Sequence, residues 1–82
     1  MFKHKTNEGK RNISGEKIKI LRKNLPLKTS QRMLAEMMQL KGVDIDKSAI
    51  KCMENGSRYI TDIELKAFCS IFSVSADFLL DV

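Results

Sequence analysis

Residues 30–56 read SQRMLAEMMQLKGVDIDKSAIKCMENG, and this stretch predicts two helices joined by a turn. Thr29 or Ser30 can accept a backbone amide at the start of the first helix, and Gly42 is a natural stop after it. Between these limits, apolar side chains recur at helical spacing and form one broad face: Met33, Leu34, Met37, Met38 and Leu40. We expect this face to pack into the core.

The second predicted helix is shorter than the first. Asp46 or Ser48 can cap its start, and the Asn-Gly pair at residues 55–56 supplies positive-φ residues for a sharp turn after it. Ile50 and Met53 have the spacing of inward positions on one helical face.

Upstream of this pair, a further helix is expected over residues 15–24. Ser14 can cap it and Pro26 bars it from continuing. Its apolar positions again recur at helical spacing: Ile18, Leu21 and Leu25.

Downstream, Thr61 and Glu64 have the spacing of a capping box at the start of a fourth helix. Its apolar positions are Leu65, Phe68, Cys69 and Phe72. Residues 75–77 begin a short fifth helix that carries Phe78 and Leu79. No segment shows a sustained period-2 alternation, so the predicted fold class is all-α, with five helices and no sheet.

The chain length of 82 residues predicts a single domain. We expect a flexible basic N-terminal tail over residues 1–12, a disordered terminus in preference to a basic arm that contacts phosphate, and a folded domain over residues 13–82. A hydrophobic content of 43% is enough for one modest core. No apolar run exceeds three residues, so we expect no membrane partner and a cytoplasmic location.

Enzymatic and metal chemistry have little support in the residue types present. His4 is the single histidine, and Cys52 and Cys69 do not form a CxxC pair. The acidic residues are scattered, and neither cysteine has a base at a recognisable spacing. We therefore expect no catalytic site, no metal and no cofactor.

The charge distribution is lopsided along the chain. Residues 1–51 carry thirteen Lys or Arg against five Asp or Glu, whereas residues 52–82 carry two against five. A net charge of +5 concentrated in one half of a small domain is the electrostatic pattern of a protein that binds a polyanion. Lysine blocks are also common on solvated surfaces, so charge alone leaves both interpretations open.

Four blocks of the sequence together resemble the Cro/repressor-type, or XRE-type, helix-turn-helix family. They are SQRMLA at residues 30–35, SAI at 48–50, ENG at 54–56 and FSVSADFLL at 72–80, in the order in which the family has its own blocks. The resemblance implies a five-helix domain in which helix 3 lies in the major groove of DNA and helix 2 crosses above it. The segment between Ala35 and Ile50 is longer than in the family, so helix 2 is expected to be extended and the turn enlarged.

The resemblance also assigns roles to individual residues. The positions that face the bases fall on Lys47, Ser48, Lys51 and Cys52, and those that contact phosphate fall on Gln31, Asn55, Ser57 and Arg58. Arg22 and Glu54 correspond to a buried structural ion pair. Independently of the family, Lys47 and Lys51 lie one helical turn apart, and lysine can donate to guanine or to phosphate. Ser73 stands where the family has a glycine after helix 4.

These features predict a sequence-specific DNA-binding regulator of transcription, a repressor that binds double-stranded DNA through helix 3, about residues 46–54. Because one short helix reads few base pairs, we expect a homodimer on a palindromic operator. The alternative is a protein-interaction module, such as an antitoxin-like partner, that keeps the same fold. It would bury exposed apolar surfaces against another chain, either Met33, Met37 and Met38 or Phe78 and Leu80.

Overall fold

The computed structural model describes residues 9–82 of the chain. Within this range the protein is entirely helical, without strands, as predicted. The five helices are α1 (Gly15–Lys23), α2 (Gln31–Leu40), α3 (Lys47–Glu54), α4 (Asp62–Phe72) and α5 (Ala76–Leu80). No helix in this range is both long enough and apolar enough to cross a bilayer.

The α2 and α3 helices begin at side-chain caps that the sequence predicted. The Ser30 hydroxyl accepts a hydrogen bond from the Met33 amide at 3.1 Å, and the Asp46 carboxylate accepts one from the Ala49 amide at 2.9 Å. With ten residues against eight, α2 is longer than α3.

The six residues between α2 and α3 form an ordered connection. Gly42 leaves the helix with φ +87°, a conformation that glycine adopts without steric cost. Val43 and Ile45 then return to the core, where both are buried, and the Gln39 side chain donates to the Ile45 carbonyl at 2.9 Å. The turn is therefore anchored at both of its apolar residues.

The predicted Ser14 cap of α1 is wrong. The side-chain oxygen of Asn12, Oδ1, accepts from the backbone amides of Ser14 and Gly15, at 3.1 and 2.7 Å. The Ser14 hydroxyl is buried and donates instead to the Leu79 carbonyl of α5 at 2.7 Å. Because this bond joins residues far apart in sequence, local spacing could not reveal it.

The capping box predicted for α4 is present, with the Thr61 hydroxyl accepting from the Glu64 amide and the Glu64 carboxylate accepting from the Thr61 amide. Ser73 ends α4 in the left-handed conformation, with φ 57°, so the chain tolerates a serine where glycine would be less strained. Ser75 then caps α5 through the Phe78 amide.

The core lies between all five helices. Its fully buried side chains are Ile18 of α1, Leu34 and Met38 of α2, Ile50 and Met53 of α3, Phe68 of α4 and Leu79 of α5.

The apolar face predicted for α2 is wrong at both ends, because Met33 is 38% exposed and Leu40 is 88% exposed. Leu40 comes six positions after the buried Leu34, which places it about 240° around the helix axis, on the exposed side. Met38, which the sequence also offered as a partner surface, lies wholly in the core.

Gly15 allows α1 to approach the end of α3 closely. A Cβ atom at this position would clash with the Met53 carbonyl oxygen and would lie 2.9 Å from that of Glu54. The start of α1 therefore packs directly on the last carbonyl groups of α3, and this contact fixes the orientation of α3.

Candidate nucleic-acid interface

The outer face of α3 presents three of the four residues predicted to face DNA bases. Lys47, Ser48 and Lys51 are all exposed, on the side of the helix away from the buried Ile50 and Met53. Neither lysine is within salt-bridge distance of a carboxylate in residues 9–82. Two ammonium groups and a hydroxyl are thus free to donate from one helical face.

Cys52, the fourth predicted base-facing residue, is only half-buried and carries a free thiol. It lies one turn after Ser48, at the margin of the exposed face. Because a thiol is a weak donor, this position can add shape to a contact surface but little hydrogen bonding.

The predicted ion pair between Arg22 and Glu54 is present and holds α1 to the end of α3. Arg22 Nε lies 2.6 Å from Glu54 Oε2, and Nη2 lies 3.0 Å from Oε1. The third guanidinium nitrogen, Nη1, donates to the Thr29 carbonyl at 3.0 Å. Only 10% of the Arg22 side chain and 3% of the Glu54 side chain are exposed. All three guanidinium nitrogens of Arg22 therefore donate to acceptors inside the protein.

Gln31, predicted to contact phosphate, takes part in the same network. Its Nε2 donates to Glu54 Oε1 at 2.9 Å, and its side chain is half-buried at the start of α2. Glu54 thus ties α1 and α2 to α3 through one carboxylate. The second hydrogen on Gln31 Nε2 could still donate to a phosphate oxygen.

Arg58, also predicted to contact phosphate, makes two hydrogen bonds to Glu64, each 3.0 Å long. About 35% of its side chain is exposed, against 7% for Glu64. The hydrogen bond to Glu64 raises the pKa of Arg58. Burial acts to raise the pKa of Glu64, but hydrogen bonds from Arg58 and Thr61 outweigh it and lower that pKa below its ordinary value. Arg58 is therefore a paired cation.

Asn55 and Ser57 are the remaining predicted phosphate contacts, and both are exposed where α3 ends. The side-chain oxygen of Asn55, Oδ1, accepts from the Ser57 amide at 2.9 Å, and the Ser57 hydroxyl donates weakly to the Cys52 backbone carbonyl at 3.4 Å. This turn offers polar groups next to the lysine face, without charge of its own.

Residues 10–12 fall within the predicted tail, yet they contact the body of the protein. The Arg11 amide donates to the Gly56 carbonyl at 2.7 Å, and Asn12 Nδ2 donates to the carbonyls of Met53 and Arg58 at 3.0 and 2.8 Å. Residues 1–8 of the predicted tail lie outside the described residues. The sequence carried no local signal for these bonds, since each spans more than forty positions.

Within residues 9–82, no group of three or more His, Cys, Asp or Glu side chains is placed to hold a metal ion. The Cys69 thiol is half-buried against the core. His4 lies outside the described residues.

Comparison with known proteins found no match among protein-family models, curated proteins or solved structures.

Proposed function

We propose that this protein is a helix-turn-helix repressor of transcription that binds operator DNA as a homodimer, with α3 in the major groove. The observation that carries the proposal is the outer face of α3, where Lys47, Ser48 and Lys51 point into solvent together. Lysine donates to guanine O6 and N7 or to phosphate, and serine accepts or donates with little selectivity. Such a face can read base edges.

The attachment of α3 to the rest of the protein supports a reading role. A helix that discriminates base pairs must hold its side chains in a fixed position relative to the phosphate contacts. Here Glu54 anchors the end of α3 to Arg22 and Gln31, while Val43 and Ile45 anchor the turn before it. Both ends of the helix are therefore fixed from within the domain.

We propose a homodimer because α3 is short. A helix of eight residues reaches only a few base pairs, and a single contact of this kind gives modest affinity. Two copies related by twofold symmetry would place two α3 helices in successive major grooves about 34 Å apart.

The proposal is tested by selecting bound duplexes from a random DNA library with the full chain. We expect an enriched motif with two inverted half-sites, centred about one helical turn apart. Loss of that enrichment in the Lys47→Ala/Lys51→Ala double variant, with its fold intact by circular dichroism, would support the reading face. A library that yields no enriched motif with the parent chain contradicts the proposal.

A protein-interaction module remains the second candidate, and one observation favours it. Phe78 and Leu80 of α5 are 48% and 39% exposed, and Ile13 beside α1 is 46% exposed. A DNA-reading face does not use these apolar side chains. If this function is correct, Phe78→Ser/Leu80→Ser abolishes binding to a protein partner, whereas Lys47→Ala/Lys51→Ala leaves it unchanged.

A further inference from the structure

We propose that Lys10 and Arg11 form part of the DNA interface, as two phosphate-binding cations positioned by Asn12 at the end of α3. This inference rests on the proposed function and extends it to residues 10–12, at the end of the predicted tail.

The position of this segment is set by its hydrogen bonds. The Asn12 side chain donates to the carbonyls of Met53 and Arg58 and accepts from the amides of Ser14 and Gly15, where α1 begins. Both polar atoms of its side chain are thus bonded within the protein. It joins the beginning of α1, the end of α3 and the loop that follows, and so it places the two preceding residues beside that loop.

Lys10 and Arg11 lie directly on the loop that carries the predicted phosphate contacts. The aliphatic part of Lys10 covers Gly56, where a Cβ atom would meet Lys10 Cδ at 2.7 Å. The Arg11 amide is bonded to the Gly56 carbonyl. Its guanidinium carbon lies 5.5 Å from the centre of the Tyr59 ring, a cation–π distance. Gly56 is the residue after Asn55, so both cations adjoin the exposed end of α3.

The loop over residues 55–58 has no unpaired positive charge, and Lys10 and Arg11 can supply it. Asn55 and Ser57 are neutral, and Arg58 is paired with Glu64. Lys10 and Arg11 are exposed, and neither is within salt-bridge distance of a carboxylate in residues 9–82. They therefore supply the charge that a phosphate contact at this loop requires.

The test measures how binding depends on salt. A fluorescently labelled 30-base-pair duplex of mixed sequence is titrated with the full chain at several salt concentrations by fluorescence anisotropy. Each phosphate contact contributes about 0.9 to the slope of log K against log salt. We expect Arg11→Ala and Lys10→Ala each to lower the slope by about one, and the double variant by about two. Arg11→Lys, which keeps the charge, should keep the slope.

Lys66→Ala is the matched control, since it removes one exposed cation from α4, which packs on α1, α2 and α5. Thermal melting by circular dichroism verifies that each variant is folded. If Arg11→Ala and Lys10→Ala behave like Lys66→Ala while the parent chain binds the duplex with an affinity that falls steeply with salt, this inference is wrong and the proposed function stands. If the parent chain binds no duplex at low salt, both are wrong.

Discussion

Arg22 and Glu54 form a two-point ion pair in the interior, although 32 positions of sequence separate them. The pair joins the first helix to the last turn of α3. Because both side chains are almost wholly buried, neither partner can be lost without leaving a charge in a poorly solvated place.

Glu54→Ala should therefore be strongly destabilising. Removing the carboxylate leaves Arg22 unpaired and deprives Gln31 of its acceptor. Breaking a buried pair by deleting one partner costs about 3–5 kcal/mol. Urea unfolding followed by circular dichroism measures the loss. The control is Glu36→Ala, which removes an exposed partner of Arg32 at 3.7 Å and should cost far less. Equal losses in the two variants would show that Glu54 is not a buried anchor.

The Glu64 carboxylate should make stability depend on pH in the acid range. Its pKa in the folded protein is lowered, so its contribution is fully present above the unfolded-state value of about 4.3 and is lost as pH falls through the folded value. Glu64→Gln should cost about 2 kcal/mol at pH 7, because it removes a charged acceptor from Arg58.

This difference between parent and Glu64→Gln should shrink steadily as the pH of the unfolding experiment is lowered from 5 to 3. Glu36→Gln serves as the exposed control, for which we expect little change over the same range. A difference that stays constant down to pH 3 would mean that the pKa of Glu64 is not set by Arg58 and Thr61.

The helices were predictable because their signals are local. The caps at Ser30, Asp46 and Thr61 and the apolar spacing around Leu34 and Ile50 all depend on neighbours within one or two turns. The resemblance to a known family added the pairing of Arg22 with Glu54, which no local pattern contains.

The remaining features depend on contacts that the sequence does not encode locally. Asn12 caps α1 because α3 and the following loop offer it two carbonyls. Arg58 is occupied because the loop turns it back onto Glu64, six residues later. Five of the eight predicted DNA contacts are exposed polar groups around α3, whereas Gln31 and Arg58 have internal partners. Whether a polar side chain has a hydrogen-bond partner inside the protein or is left for a ligand is therefore decided only in the folded chain.

Gly15→Ala should destabilise the protein, although replacing glycine by alanine usually stabilises a helix. Alanine normally favours a helix over glycine by about 0.5–1 kcal/mol. At Gly15 the added methyl would meet the Met53 carbonyl oxygen, which is backbone and cannot swing aside. Forcing the helices apart should cost about 1–3 kcal/mol, measured as a lower midpoint in urea. Ser70→Ala, at an exposed position of α4, should change stability very little. A stabilised Gly15→Ala variant would contradict the close approach of α1 to α3.

Lys51 is the residue with which the reading role of α3 can be tested most directly. It is exposed in the last turn of the helix and has no carboxylate partner in residues 9–82, so its replacement should leave the fold unchanged. If its ammonium donates to a guanine edge, Lys51→Ala should lose about 1–3 kcal/mol on a selected operator and lose discrimination at one base pair. Fluorescence anisotropy against a panel of operators, each with one base pair changed, locates that position.

A phosphate contact gives a different result on the same panel. Lys51→Ala would then weaken every operator alike and lower the salt slope by about one. Lys66→Ala, which removes a cation from α4, should change neither affinity nor discrimination if α4 lies away from the DNA. If Lys51→Ala and Lys66→Ala both bind every operator of the panel with the affinity of the parent, α3 does not enter the groove. The exposed apolar side chains of Phe78 and Leu80 would then be the candidate site for a protein partner.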